Sequence, residues 1–319
     1  MLYDSFGRVH NYLRISVTDA CNLRCVYCMP EDRTVFTRKN KLMSPDEISY
    51  LASVFVELGV NKIRITGGEP LLRKDITEII DKLSLLPASL AISTNALLAD
   101  NYIDIFKTAN IRSVNVSLDT LDPGEFFILT KRDRFKKIYS NILLLLQNNF
   151  NVKVNFVVMK GVNENSILKF IEWTKDYPLE VRFIEFMPFT GNKWKSEIVF
   201  SHDEILELIQ SKYNISKTED AKHDTSRKYR ADGHPGTFGI ISTITKPFCN
   251  ECNRLRLTAD GKLKNCLFSK GETDLLTPLR NNEDIVSLIH SSLKDKKEER
   301  GGQFESSAII NRSMVSIGG

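Results

Sequence analysis

The sequence predicts an α/β protein whose larger part is an incomplete, TIM-like (βα)6 barrel, and three observations carry that expectation. Between residue 12 and about residue 212, short β-branched runs alternate with longer segments of helical period, the pattern of strands joined by helical crossovers. Six such runs can be counted. Right-handed crossovers curl a series of this kind toward a barrel, and six units are too few to close an eight-stranded one.

In chain order the strand runs are YLRISVT at 12–18, NKIRIT at 61–66, SLAIST at 89–94, RSVNVSL at 112–118, NVKVNFVVM at 151–159 and LEVRFIEF at 179–186. The clearest helix, SPDEISYLASVFVELG, carries both of its boundaries. Ser44 can cap it, Pro45 suits its first turn, Glu47 completes a capping box and Gly59 can end it. Further helices are expected near 75–85, 101–109, 133–148, 163–176 and 201–212. Residues 218–236, TEDAKHDTSRKYRADGHPG, carry few large apolar side chains and several turn formers, and are expected to form a loop or linker. The chain beyond residue 236 is built differently: FGIISTIT, then RLRLTADGKLKNCLF with an Asp260-Gly261 hairpin signal, then helical pattern near 272–293. The expected division is 1–217 for the partial barrel, 218–236 for the loop and 237–319 for a smaller C-terminal region.

With 319 residues, 42% of them hydrophobic, the chain can bury a large core. The opening MLYDSFGRVHNYLR has no apolar stretch of signal-peptide type, and no run of about 18 apolar residues occurs, so a cytoplasmic location without membrane contact is expected. A net charge of +4 and a pI near 8.6 suit a small anionic substrate and fall short of the concentrated basic face of a nucleic-acid binder. The run KDKKEER at 294–300 mixes both signs and reads as a solvated helix face.

All six cysteines fall into two triplets: Cys21, Cys25 and Cys28 spaced C-x3-C-x2-C, and Cys249, Cys252 and Cys266 spaced C-x2-C-x13-C. In a reducing compartment they read as ligands or catalytic thiols rather than disulfides. None of the five histidines (10, 202, 223, 234 and 290) stands at finger spacing, so zinc would need a distant fourth ligand. A four-iron cubane normally takes four thiolates, and three leave one iron open. Spacing alone keeps the loop staple, the zinc site and the open cluster all in play, the second triplet more so because C-x2-C is common in zinc ribbons.

The first triplet, with Tyr27 as the aromatic between its second and third cysteines, resembles the signature of radical S-adenosylmethionine (SAM) enzymes. That resemblance implies a 4Fe-4S cluster on Cys21, Cys25 and Cys28 whose open iron chelates the methionine moiety of SAM. Its reduction would release a 5′-deoxyadenosyl radical. GGEP at 67–70 resembles the family's motif for the methionine amino group, and Gly67 and Gly68 would let backbone approach the ligand. Taken alone, GGEP reads equally as a turn before a helix. Thr94, Ser117 and Met187 fall at or just past the ends of the third, fourth and sixth strands, the barrel face that also carries the first cysteine loop. Ser and Thr in such places also serve simply as helix caps. The resemblance assigns Tyr27, Gly68, Ser117 and Met187 to the cofactor and Thr94 to the substrate.

KPFCNECNRLRLTADGKLKNCLF, together with SFGR near the start, the cysteine loop ending YCMP, RFIEFMP at 182–188 and the terminal Gly-Gly, resembles the GTP 3′,8-cyclase family of molybdenum cofactor biosynthesis over nearly the whole chain. One departure is Ala20, where that family usually has a basic residue. The resemblance implies a lyase that converts GTP to (8S)-3′,8-cyclo-7,8-dihydroguanosine 5′-triphosphate. It also implies a second 4Fe-4S cluster on Cys249, Cys252 and Cys266 that binds guanine. An external electron donor and a downstream cyclic pyranopterin monophosphate synthase complete the expected partners, and a homodimer is compatible with the family.

The triphosphate must be met by discrete cations, since the sequence holds no G-x-x-x-x-G-K-[ST], G-x-G-x-x-G or N-K-x-D motif. Arg14, Arg64, Lys153, Arg254 and Arg256 are the candidates, with Leu255 included between the last two by resemblance. Inward charges on barrel strands are costly unless they meet an anion. For Arg64 and Lys153 an outward, solvated position or an internal salt bridge is the alternative. The resemblance adds catalytic roles for Arg14, Gly318 and Gly319. Two other functions compete: a peptide-modifying radical SAM enzyme with an electron-transfer cluster, and a non-enzymatic zinc or iron-sulfur module that binds nucleic acid.

Overall fold

The computed structural model describes residues 1–29, 36–303 and 311–318; Pro30 of the YCMP stretch and Gly319 lie outside them. The six expected strands are present as β1 (Tyr12–Ser16), β2 (Lys62–Thr66), β3 (Ser89–Thr94), β4 (Ser113–Ser117), β5 (Asn151–Val158) and β6 (Glu180–Glu185). They pair in sequence order, all parallel. The C-terminal part adds two more parallel strands, β9 (Thr237–Ile241) beside β6 and β10 (Arg254–Leu257) beside β1. Antiparallel strands finish both sides: β7 (Ile215–Lys217) and β8 (Arg227–Ala231) beyond β9, β11 (Lys262–Lys264) and β12 (Thr273–Asp274) beyond β10.

The region from residue 237 joins the same sheet on both sides, through β9 beside β6 and through β10 to β12 beside β1. One expectation is corrected. The expected loop at 218–236 contains β8, in which Tyr229 and Ala231 are buried between more exposed basic residues. Tyr229 stacks on Phe238 of β9 at 5.4 Å, so a strand hidden among turn formers is held by a neighbour remote from that local pattern.

The helices between the strands are α1 (Pro45–Glu57), α2 (Ile76–Ser84), α3 (Ile103–Thr108), α4 (Pro123–Thr130), α5 (Phe135–Gln147), α6 (Ile167–Asp176) and α7 (His202–Gln210). Later come α8 (Leu276–Arg280), α9 (Val286–Lys294) and α10 (Met314–Ile317). The capping box of α1 forms as expected, Glu47 N–H to the Ser44 hydroxyl and Ser44 N–H to the Glu47 carboxylate. Helix α4 is an addition to the expected set; Asp122 caps it and Pro123 fits its first turn.

Strand alternation divides the sheet into two unlike faces. Leu13, Ile15, Ile63, Ile65, Val114, Val116, Val181 and Phe183 are fully buried in the main hydrophobic core. The intervening positions are polar: Tyr12 and Arg14, Lys62 and Arg64, Lys153 and Asn155, Glu180 and Arg182, Arg254 and Arg256. The sheet curls enough that Lys153 on β5 feels the charge of Arg64, three strands away. Leu255, expected to touch substrate, belongs to the other face: its side chain is wholly buried in the apolar core, where period two must put it between Arg254 and Arg256.

Candidate active site

The first cysteine loop comes directly after β1 and is fastened on three sides. Backbone N–H groups of Arg24 and Val26 donate to the carbonyls of Thr130 and Leu129 at the end of α4, at 2.9 and 3.0 Å. The Tyr27 hydroxyl donates to Asp119 at 2.7 Å, and Asp119 also accepts the Val157 N–H at 2.8 Å. On the third side Gly68 and Glu69 donate from their backbone to the carbonyls of Thr18 and Ala20. A Cβ on Gly68 would stand 2.5 Å from the Ala20 carbonyl oxygen and one on Gly67 2.5 Å from that of Thr18, so both positions need glycine to let the two loops meet.

Cys21, Cys25 and Cys28 rim a cavity into which Tyr27, Gly68, Ser117 and Met187 also face, together with Thr94. All six cysteines of the chain are free thiols. Burial pushes the thiol of Cys21 up to about 11, that of Cys28 up to about 12 and that of Cys25 well above its ordinary range. Thiolates here require a cationic partner, and a soft sulfur triplet around a cavity fits an iron-sulfur cluster with an open iron. Among the described residues no group of three or more His, Cys, Asp or Glu side chains is gathered to hold a single metal ion.

Glu69 of GGEP is wholly buried and its carboxylate accepts the N–H groups of Leu71 (3.0 Å) and Asn95 (2.6 Å) and the Thr94 hydroxyl (2.7 Å). Burial raises it to about 7 against those donors. Thr94 thus donates its hydroxyl proton to Glu69 while lining the same cavity as Tyr27, Gly68, Ser117 and Met187.

Across β10, β1 and β2, Arg256, Arg14 and Arg64 stand directly side by side in register. The Arg64 guanidinium donates to the Tyr12 hydroxyl at 2.6 Å and to the Ile92 carbonyl at 2.8 Å. At 3% exposure Arg64 is not a solvated surface residue. Burial lowers Arg14 to about 10, with repulsion from Arg64 and Arg254 adding to it, and holds Arg256 well below its ordinary value, with Arg14 and Arg254 as its repelling neighbours. The same positive field draws the Tyr12 phenol down to about 7 although burial opposes its ionisation; Arg64, Arg14 and Lys62 supply it. Lys153 makes an internal pair with Glu180 at 3.5 Å, which Arg182 shares at 2.5 Å.

The second triplet lies at the opposite end of the strands from the first. Cys249 and Cys252 precede β10, whereas the first cysteine loop comes after β1, and the two strands are parallel. Cys266, after the antiparallel β11, returns to the same end as Cys252. Burial would raise the Cys252 thiol, but Arg254 and then Lys296 overcome it and bring it to about 6. Arg8 of SFGR braces this end by donating to the carbonyls of Cys249 (2.9 Å), Lys297 and Glu298 while pairing with Asp4 at 2.6 Å. The chain's tail enters from the opposite direction. The Gly318 carbonyl accepts a 2.9 Å bond from Arg256, and Ile317 packs with Phe189 and Phe268.

The radical SAM superfamily model matches residues 15–174, and the Molybdenum Cofactor Synthesis C model matches residues 179–301. The chain is 43% identical to "GTP 3′,8-cyclase, mitochondrial" of Arabidopsis thaliana, covering 100% of this chain and 84% of that protein. This chain belongs to the GTP 3′,8-cyclase family of radical SAM proteins. It is 39% identical to "Molybdenum cofactor biosynthesis protein 1" of Dictyostelium discoideum, where 100% of this chain spans 52% of the relative, about half its length. The structure of Streptococcus suis SuiB bound to S-adenosylmethionine shares the fold, with a TM-score of 0.67 at 15% identity over 91% of this chain and 69% of that one.

Within this radical SAM architecture, several residues carry a role that their local sequence does not advertise. Asp119 stands two residues after Ser117, and strand period could have placed both at the cavity. Tyr12 precedes Arg14 by two and shares its face. Lys296 has no such signal: its charge run reads as solvated, yet the side chain is 3% exposed and reaches the second triplet, which corrects that expectation.

Proposed function

We propose that this chain converts GTP to 3′,8-cyclo-7,8-dihydro-GTP at the start of molybdenum cofactor biosynthesis. The observation that carries the reading is the in-register row Arg256, Arg14 and Arg64 between two cysteine triplets at opposite ends of the strands. Three buried guanidinium groups repelling one another are stabilised by a polyanion, and a triphosphate is the polyanion the named relatives imply.

In this reading Cys21, Cys25 and Cys28 hold one 4Fe-4S cluster, with Tyr27, Gly68, Ser117 and Met187 around SAM. When bound, that pair supplies a hydrogen-abstracting organic radical. Cys249, Cys252 and Cys266 hold a second 4Fe-4S cluster that orients guanine. Arg14, Arg64, Arg254 and Arg256, with Lys153, hold the triphosphate, so that the ribose lies toward the SAM cavity. Met314 and Val315 of the tail line that cavity and exclude water from it. Gly318, followed by Gly319, brings main chain rather than side chain up to Arg256. An external donor supplies electrons, and a cyclic pyranopterin monophosphate synthase takes the product. No helix among the described residues is long and apolar enough to cross a membrane. A cytoplasmic location and a homodimer belong to the same proposal.

The test is anaerobic reconstitution with iron and sulfide, followed by dithionite, SAM and GTP. About eight irons per chain and 5′-deoxyadenosine that rises with GTP, together with a cyclised nucleotide, are expected. Formation of 5′-deoxyadenosine indifferent to GTP would remove the substrate assignment, and zinc without SAM cleavage would remove the enzyme.

A further inference from the structure

Lys296 lies two residues beyond the end of α9 and is buried, 3% exposed. Its ammonium donates to the carbonyl of Asn265, the residue before Cys266, and stands 4.0 Å from the sulfur of Cys252. It therefore touches both arms of the second triplet, the 249–252 turn and the strand end that carries Cys266. The Asn265 side chain answers by donating to the Ser292 carbonyl at 2.7 Å, so this arm and the end of α9 are tied in both directions. Among the described residues the Lys296 ammonium forms no ion pair with a carboxylate, and its polar neighbours are the Asn265 carbonyl and the Cys252 sulfur. A buried ammonium is costly unless an anion meets it. The anion within reach is sulfur.

We infer that Lys296 is a positioning residue of the second cysteine site, setting the separation of its two arms and holding a fixed positive charge against the Cys252 thiolate. The inference rests on the reading of Cys249, Cys252 and Cys266 as cluster ligands and deepens it. Charges and hydrogen bonds at ligand sulfurs set the potential of an iron-sulfur centre, and groups behind the ligands orient them. A cation next to Cys252 favours the reduced, more negative cluster. It leaves the first cluster, at the other end of the strands, unaffected.

The experiment compares reconstituted wild type, Lys296→Met and Lys296→Arg by iron and sulfide content and by an EPR-monitored redox titration, with the first cluster as internal reference. The expected result is a fall in the second cluster's midpoint potential in Lys296→Met, restored toward wild type in Lys296→Arg, and an unchanged first cluster. Failure of Lys296→Met alone to load the second cluster also supports the inference, since only the charged variant then places the arms. A fully loaded second cluster in Lys296→Met at the wild-type potential overturns it, and so does loss of the cluster in both variants. About four irons in the wild type would instead remove the second cluster itself and the inference with it.

Discussion

Arg256 and Gly318 meet inside the polar face of the sheet, the guanidinium donating to the glycine carbonyl at 2.9 Å while Gly318 holds φ at 87°. Both the positive φ and the space demand glycine there: a Cβ would stand 2.7 Å from the Cβ of Ser16. Gly318→Ala is expected to lift the tail off Arg256, since left-handed backbone costs an L-residue about 1–2 kcal/mol before the clash is added. Faster amide exchange over 314–318, with the global melting transition nearly unmoved, is the outcome to look for. An unchanged exchange pattern would mean that the tail seats without this contact.

Removing one cation from the row has opposite effects on the free and the bound protein. Arg14→Met relieves repulsion with Arg64, Arg254 and Arg256, so the apo protein is expected to melt no lower than wild type. Affinity for GTP should drop roughly ten- to a hundredfold, the range for a lost hydrogen bond to a charged group of about 1.5–3 kcal/mol. Guanosine, lacking the phosphates, should bind both proteins alike. Calorimetric titration of the two ligands decides it; an equal loss for guanosine places Arg14 at the base instead.

Tyr12 reports the same field through its own proton. Its folded value of about 7 lies below the ordinary 10, so between those limits the folded chain binds fewer protons there than the unfolded one. The stability contributed by this group is therefore complete above about pH 10 and is lost as pH falls through 7. Tyrosinate absorbance in the apo protein is expected to rise near neutral pH and to be missing in Tyr12→Phe. Inorganic triphosphate, by engaging Arg14 and Arg64, should push that midpoint upward. A titration with no tyrosine below the ordinary range would mean the arginines do not act on Tyr12.

How much of the molecule is legible in its sequence depends on how local each signal is. The six central strands and α1 carry their own periodicity and caps, and the cysteine triplets are chemistry written in spacing. Helix α4 has apolar residues all round, Phe126 and Leu129 buried but Phe127 and Ile128 exposed, so helical period leaves no stripe to detect. The joining of β9 to β6 and β10 to β1 is a pairing between residues far apart in the chain, invisible to any local window. Arg14, Arg64 and Arg256 each stand out singly, but only strand register puts them side by side. Whether Lys296 is solvated depends on Asn265 and Cys252 arriving from elsewhere in the chain, and nothing in KDKKEER announces it.

Leu255 separates packing from recognition. Truncating this fully buried side chain in Leu255→Ala is expected to destabilise the fold by about 2–5 kcal/mol in denaturant titration. Affinity for GTP in the folded fraction should stay at the wild-type value, because the side chain faces the core. A selective loss of GTP binding with unchanged stability would put Leu255 back among the substrate residues.

Asp119 and Tyr27 form the last testable relationship, and its interest is that neither residue is a cysteine although both bear on where the cysteines sit. Asp119 is buried, which raises its carboxyl to about 6, and its two oxygens are divided between the Tyr27 hydroxyl and the Val157 N–H. The bond thus ties the cysteine loop to the ends of β4 and β5. Tyr27→Phe removes the donor; Asp119→Asn replaces an oxygen by an amide nitrogen that one of the two donors must then face. Each change is expected to weaken SAM binding several-fold, and the double variant should be no weaker than the worse single one, because one shared bond is lost in all three. Amide exchange over 21–29 in the metal-free protein supplies a readout independent of the cluster and should rise equally in the three variants. Additive losses in SAM affinity would show that the two side chains act separately, Asp119 then contributing through Val157 and not through the loop.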